Sequence, residues 1–192
     1  MKAFSNLLTN LILTSSRNRK ISLLVEYFSS TPDPDRGYAL AALTGSLKVK
    51  NIKAAFFKEL VREKQDEYLF ALSYDYVGDL AETVSLLWDK KNDGDIPSLS
   101  ILLDSLAKVK GEDLKRNIID ILDSSDADQR WAFIKLFTGG LRIGVSSRLV
   151  KKALSIYGNV DLNEIEKIWH GLALPYINLF AWLEKRDQKP KI

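Results

Sequence analysis

Thr138-Gly-Gly-Leu-Arg-Ile-Gly-Val-Ser146 gathers three glycines, an arginine and two hydroxyls within nine residues. These residue types suit an oxyanion. Glycine tolerates positive φ and lets a ligand approach the backbone, and the free N–H groups at a helix start carry partial positive charge. Ser146 or Ser147 can cap a helix carrying Arg148, Lys151 and Lys152, while Arg142 can give phosphate a charge-assisted, bidentate pair of hydrogen bonds. If Leu141 and Ile143 point into a core, Arg142 between them points outward. Phosphate contacts fix position without reading bases, so the chemistry is that of a sequence-independent binder. The same residues also suit an ordinary helical hairpin with a glycine turn and solvated cations.

Charge is sorted along the chain. From Gln129 to Val160 there is no Asp or Glu, whereas Arg130, Lys135, Arg142, Arg148, Lys151 and Lys152 all fall there. Arg17, Arg19 and Lys20 form a second basic cluster. From Glu59 to Asp95 acids dominate, and the simplest reading is a solvated face turned away from an anionic partner. Asp75 and Asp79 within it are a poor basis for a metal site. The net charge of +3 does not by itself argue for nucleic acid.

The elements that must position these residues are helices. Apolar residues recur at three- and four-residue spacing, and no stretch alternates in the manner of a strand. The spacing predicts an all-α, two-lobed domain of about twelve helices, at 3–13, 17–29, 35–43, 50–64, 66–76, 79–88, 98–108, 112–122, 127–138, 146–157, 162–172 and 176–185. Ser16, Asp33-Pro34, Pro97-Ser98 and Asp161 mark helix starts, and Gly111, Gly139 and Gly158 mark ends or turns. One domain over 1–192 is expected, with the polar linker Trp88–Pro97 dividing possible helical halves 1–88 and 97–192.

Composition excludes much. Cysteine is absent and histidine occurs once, which removes disulfides, thiolate zinc sites, Cys nucleophiles and two-imidazole chemistry. His170 is expected to be structural, with a ring nitrogen bonded to a backbone carbonyl. Tyr68, Phe70, Tyr74, Tyr76, Trp88, Trp131, Tyr157, Tyr176, Phe180 and Trp182 are expected to pack in the core. No apolar run reaches the length of a membrane span and no signal peptide is evident, so a cytoplasmic, nucleoid-associated protein with no membrane partner is expected.

Lys135-Leu-Phe-Thr-Gly-Gly-Leu-Arg-Ile-Gly-Val-Ser146 closely resembles a segment of the helical DNA-binding domain of bacterial-type ATP-dependent DNA ligases. Thr14-Ser-Ser-Arg-Asn-Arg-Lys20, Tyr76-Val-Gly-Asp-Leu-Ala-Glu82 and Trp169-His-Gly-Leu172 through Leu183 resemble further elements of that domain in the expected order. The resemblance implies binding of nicked duplex DNA across the minor groove, in a ligase that seals nicks in repair or replication. By motif it implies contacts from Gly139, Gly140, Arg142 and Gly144, then Thr14, Ser16 and Arg17. Electrostatics adds Arg19, Arg148, Lys151 and Lys152. Some eukaryotic-type members carry a basic residue where Gly140 stands here, a departure that leaves that phosphate contact missing or made by the main chain.

The family forms its lysyl-adenylate on Lys-x-Asp-Gly, and Lys91-Asn-Asp-Gly94 fits by letters. It is read as coincidence. Ile96 stands where the family has an arginine, and a charged linker cannot depress a lysine pKa as burial does. No catalytic residue, cofactor or metal is therefore expected in this segment. The resemblance implies a parent chain whose nucleotidyltransferase and OB-fold domains would be the partners that use ATP and Mg²⁺. The alternative reading is a helical protein-interaction module with a basic face.

Overall fold

A computed structural model describes residues 1–49, 52–64 and 66–191. Among the described residues there is no strand, and the protein is all-α. The helices are α1 (Lys2–Ile12), α2 (Arg17–Ser30), α3 (Asp35–Thr44), α4 (Ala54–Lys64), α5 (Glu67–Val77), α6 (Leu80–Leu87), α7 (Leu99–Lys108), α8 (Gly111–Ser124), α9 (Ala127–Lys135), α10 (Ser147–Gly158), α11 (Leu162–Ile168) and α12 (Ile177–Leu183). A 3₁₀ turn, Trp169–Gly171, follows α11. The expected helix at 50–64 begins at Ala54, and its first two positions lie outside the described residues.

Short polar side chains set the starts. Ser16, Asp66, Asp79, Ser146 and Asp161 each accept a backbone N–H from the first turn of the helix that follows. Asp126 and Gln129 complete a reciprocal capping box at α9. Asp33 behaves differently, because its carboxylate turns to the Arg36 guanidinium, at 2.7 and 2.8 Å, and caps nothing.

The chain packs into two compact units, each made from two stretches: unit 1 is Met1–Asn6 with Lys48–Leu141, and unit 2 is Leu7–Leu47 with Arg142–Ile192. The polar stretch 88–97 lies inside unit 1. It is held there by Asp123, whose carboxylate accepts from Trp88 Nε1 at 2.8 Å and whose carbonyl accepts from the N–H groups of Lys91 and Asn92. Phe57, Phe133 and Phe137 form an aromatic cluster with ring centroids 5.0 to 6.2 Å apart. Buried side chains of this size each stabilise by about 1.5–3 kcal/mol.

In unit 2, α2 and α10 pack side by side, and α10 also touches α3, α11 and α12. Phe28, Leu40, Val150, Leu154 and Phe180 are fully buried. Gly158 ends α10 for a packing reason: a Cβ there would stand 2.5 Å from Leu183 Cδ2. Asn159 takes the left-handed cap instead, at φ 48°. Buried Arg36 stacks over Phe180 and donates to Asp33, the Phe28 carbonyl, Tyr157 and Glu184. The Arg36 hydrogen bond, with lesser help from Tyr157 and Arg186, outweighs burial and holds the Glu184 carboxyl down to about 2.

Candidate functional site

Unit 2 carries an open depression of about 530 Å³ where α2 and α10 begin. Arg17 and Lys20, one helical turn apart, reach it from α2, and Arg148 reaches it from the first turn of α10. Gly144, Val145 and Ser146 line it as well. Lys20 Nζ donates to the Gly144 carbonyl at 2.8 Å, so the two basic clusters, 124 residues apart in sequence, meet here. Among the described residues no carboxylate lines the depression.

The caps leave useful groups over. Ser16 Oγ accepts from Arg19 N and Ser146 Oγ accepts from Leu149 N, which satisfies one orphan donor on each helix. The first N–H groups of both helices have no intrahelical acceptor by helix geometry, and their dipoles favour an anion. Arg17, Arg19, Arg142 and Arg148 are exposed and form no ion pair among the described residues. Their charge is available to an incoming ligand.

Arg142 is exposed between buried Leu141 and Ile143, the alternation expected of it. Its φ of 49° lies in the left-handed region, which costs a residue with a side chain roughly 1–2 kcal/mol. Gly139, Gly140 and Gly144 have φ of 88°, 117° and 67°. An added Cβ at Gly139 or Gly140 would meet open space, so backbone conformation, and not crowding, calls for glycine there. Chain membership divides this turn. Gly139 and Gly140 belong to unit 1, which runs to Leu141, and Arg142 and Gly144 belong to the second stretch of unit 2.

The remaining basic candidates differ in setting. Arg19 is exposed on the first turn of α2. Thr14 Oγ1 accepts from Ser16 N at 3.2 Å, so both hydroxyls shape the start of α2. Lys152 is half-buried on α10, and Lys151 lies 4.7 Å over the Trp169 ring. Lys20 was absent from the residues that sequence reasoning singled out as contacts. Its spacing from Arg17 was the available signal, since residues three apart share a helix face.

Other expectations need correction. Arg130 and Lys135 belong to the acid-free stretch but are buried in unit 1. His170 is exposed in the 3₁₀ turn, and its ring makes no hydrogen bond among the described residues. Of the aromatics assigned to the core, Phe70, Trp88, Tyr176 and Phe180 are buried, whereas Tyr68 and Tyr76 stand in solvent. Asp75 is exposed, and Asp79 is committed to Lys135 and to its cap. No group of three or more His, Cys, Asp or Glu could hold a metal among the described residues. Lys91 is exposed, and neighbouring Lys90 pairs with Asp93 at 3.0 Å.

An all-helical unit with unpaired arginines around two helix starts is a form suited to holding an anion from outside. A family model described as DNA ligase N terminus matches residues 1–155. The chain belongs to that family, the N-terminal domain of ATP-dependent DNA ligases. No curated protein matches it in sequence. The matched region ends inside α10, so α11 and α12 of unit 2 lie beyond it. No helix among the described residues is long and apolar enough to cross a membrane.

Proposed function

We propose that the chain binds nicked double-stranded DNA through backbone phosphates across the minor groove, without reading sequence, as the DNA-binding domain of a ligase that seals nicks in replication or repair. The observation that carries this reading is the carboxylate-free depression at the starts of α2 and α10, joined by the bond from Lys20 to Gly144. Family membership supports DNA as the polymer, and the open, basic lining supports the depression as the place for a phosphate. Arg17, Arg148 and the helix N-termini would take one phosphate, with Arg142, Gly144 and Lys20 on its flank. Thr14, Ser16, Arg19, Gly139, Gly140, Lys151 and Lys152 would extend the contact along the backbone. ATP and Mg²⁺ would serve nucleotidyltransferase and OB-fold domains of a parent ligase, which would share the DNA with this domain.

Fluorescence anisotropy of the chain with a nicked duplex tests the reading. Affinity should be independent of base sequence and should fall steeply between ~50 and ~200 mM salt, because each neutralised phosphate releases counterions. Arg142→Ala should weaken binding about tenfold, the effect of removing one charge-assisted hydrogen bond, with an unchanged melting temperature. No duplex binding at ~50 mM salt would overturn the proposal. Wild-type affinity in Arg142→Ala would remove the turn from it.

A further inference from the structure

Helix α5 is apolar on both sides. Phe70 is buried, and Tyr74 and Val77 are half-buried on the same side. On the other side Tyr68 is 74% exposed, Leu69 49%, Leu72 51% and Tyr76 92%. At about 100° per residue these four side chains fall within an arc of about 100°, the width of a face that normally meets a core. Monomers rarely leave such a contiguous apolar stripe in water, and where they do it marks an interaction site. The helix itself is well terminated, with Asp66 accepting from Leu69 N at 2.9 Å and Gly78 in the left-handed cap. The outward stripe is therefore a face of a formed helix.

Charge says what would cover it. From Asp66 to Asp89 the chain has six carboxylates, Asp66, Glu67, Asp75, Asp79, Glu82 and Asp89, and no Lys or Arg. Asp66 and Asp79 are occupied as caps, and Asp79 also pairs with Lys135. Glu67 and Asp75, both exposed, lie along one edge of the apolar stripe with Ala71 between them. Among the described residues Glu67 pairs only loosely, with exposed Arg62 at 3.6 Å.

We infer that the Tyr68–Leu72–Tyr76 face of α5 is a docking surface for an amphipathic helix of a partner protein, one whose apolar stripe is flanked by Lys or Arg. The partner's stripe would lie on Tyr68, Leu69, Leu72 and Tyr76, and its basic flank along Glu67 and Asp75. Tyrosines suit this role, since they bury a large rigid surface at little entropic cost and keep a hydroxyl at the rim. The anion depression and this face share no residue, so neither inference rests on the other.

Two synthetic helical peptides of roughly 15 residues, long enough to hold a helix when bound, test the inference. Both carry the same leucine stripe, one with Lys and Arg on its flanks and the other with Glu. Titrated into the whole chain, the basic peptide should shift the amide signals of residues 67–77, and its affinity should exceed that of the acidic peptide by about tenfold at low salt. Leu72→Ser and Tyr76→Ser should each weaken it about tenfold or more. Their melting temperatures and DNA affinity should match the wild type. Equal binding of the two peptides, shifts confined to other residues, or a self-association of the chain that Leu72→Ser abolishes would each overturn the assignment. The last would make the occupant a second copy.

Discussion

Arg130 and Lys135 share one acid-free stretch with Arg142 and Arg148, yet the two pairs stand in opposite circumstances. Lys135 is buried in unit 1 and donates to Asp79 at 2.5 Å, tying the end of α9 to the start of α6. Arg130 is buried too, donates to the Leu122 carbonyl at 3.4 Å, and keeps an Nε without a hydrogen-bond partner among the described residues. Burial pushes its guanidinium below its ordinary value against the pull of Asp126, Asp89 and Asp123. Arg142 and Arg148 are exposed and carry no ion pair among the described residues. A cation whose charge is already used inside the fold contributes to stability. One left in solvent at a helix start has its charge free for a ligand.

The contrast is broken most severely at Lys135. Lys135→Met should destabilise unit 1 by about 3 kcal/mol, because removing one partner leaves Asp79 charged and partly desolvated. Thermal unfolding in the wild type and variant measures this directly. The pH dependence has a definite sign. Burial raises the Asp79 carboxyl, but hydrogen bonds from Lys135 and the Glu82 N–H outweigh it, so the folded value lies below the ordinary 3.8. Its contribution is then complete above the ordinary value and is lost as pH falls through the lowered one. In Lys135→Met the folded value moves back up towards the ordinary one, so this acid-side loss should shrink, and an unchanged acid limb would separate Lys135 from Asp79.

Lys20 stands between the two classes, since its ammonium is bonded within the fold yet borders the depression. Lys20→Met should cost about 1 kcal/mol of stability, the worth of one hydrogen bond. It should also weaken DNA binding by more than that stability loss explains, as the turn at Gly144 and one cation are altered together. A change in stability alone would make Lys20 a structural tie.

How far the sequence disclosed these roles depends on the range of the interaction. Ser16 and Asp161 were legible as caps because capping is settled within three residues. Helix extents follow from periodicity, although α9 stops at Lys135 and the spacing predicts a helix to residue 138. The glycine turn and the basic start of α10 were legible as a candidate phosphate site by residue type. The meeting of Lys20 with Gly144 was not, since periodicity gives a helix its face but not the partner of that face. The same limit hid the burial of Arg130 and the exposure of Tyr68 and Tyr76. Gly158 was legible as a helix end but not for its reason: a glycine there suggests a cap by type, whereas Asn159 takes the left-handed cap and the close approach of Leu183 calls for glycine.

On the exposed side of the comparison, Arg148→Ala should leave stability within about 0.5 kcal/mol, as for surface substitutions generally. Its effect should appear in DNA binding, with the slope of log affinity against log salt falling by about 0.9 for one lost phosphate contact. Stability and salt slope measured on the same preparation distinguish it from Lys135→Met. A variant that lowered stability and left the slope intact would move Arg148 into the structural class.

The smallest effect is expected at Lys91, the lysine that fits a catalytic motif by letters. Its side chain is exposed, and what the loop takes from this position is the backbone N–H, bonded to the Asp123 carbonyl at 2.8 Å. Lys91→Ala keeps that donor and should change neither melting temperature nor DNA affinity measurably, within about 0.5 kcal/mol. Lys91→Pro removes the donor and should cost about 1 kcal/mol or more, since the carbonyl then keeps only Asn92 N. Equal losses in the two variants would mean that the ammonium itself has a partner. Lys91 would then belong with Lys135 and not with the solvated cations.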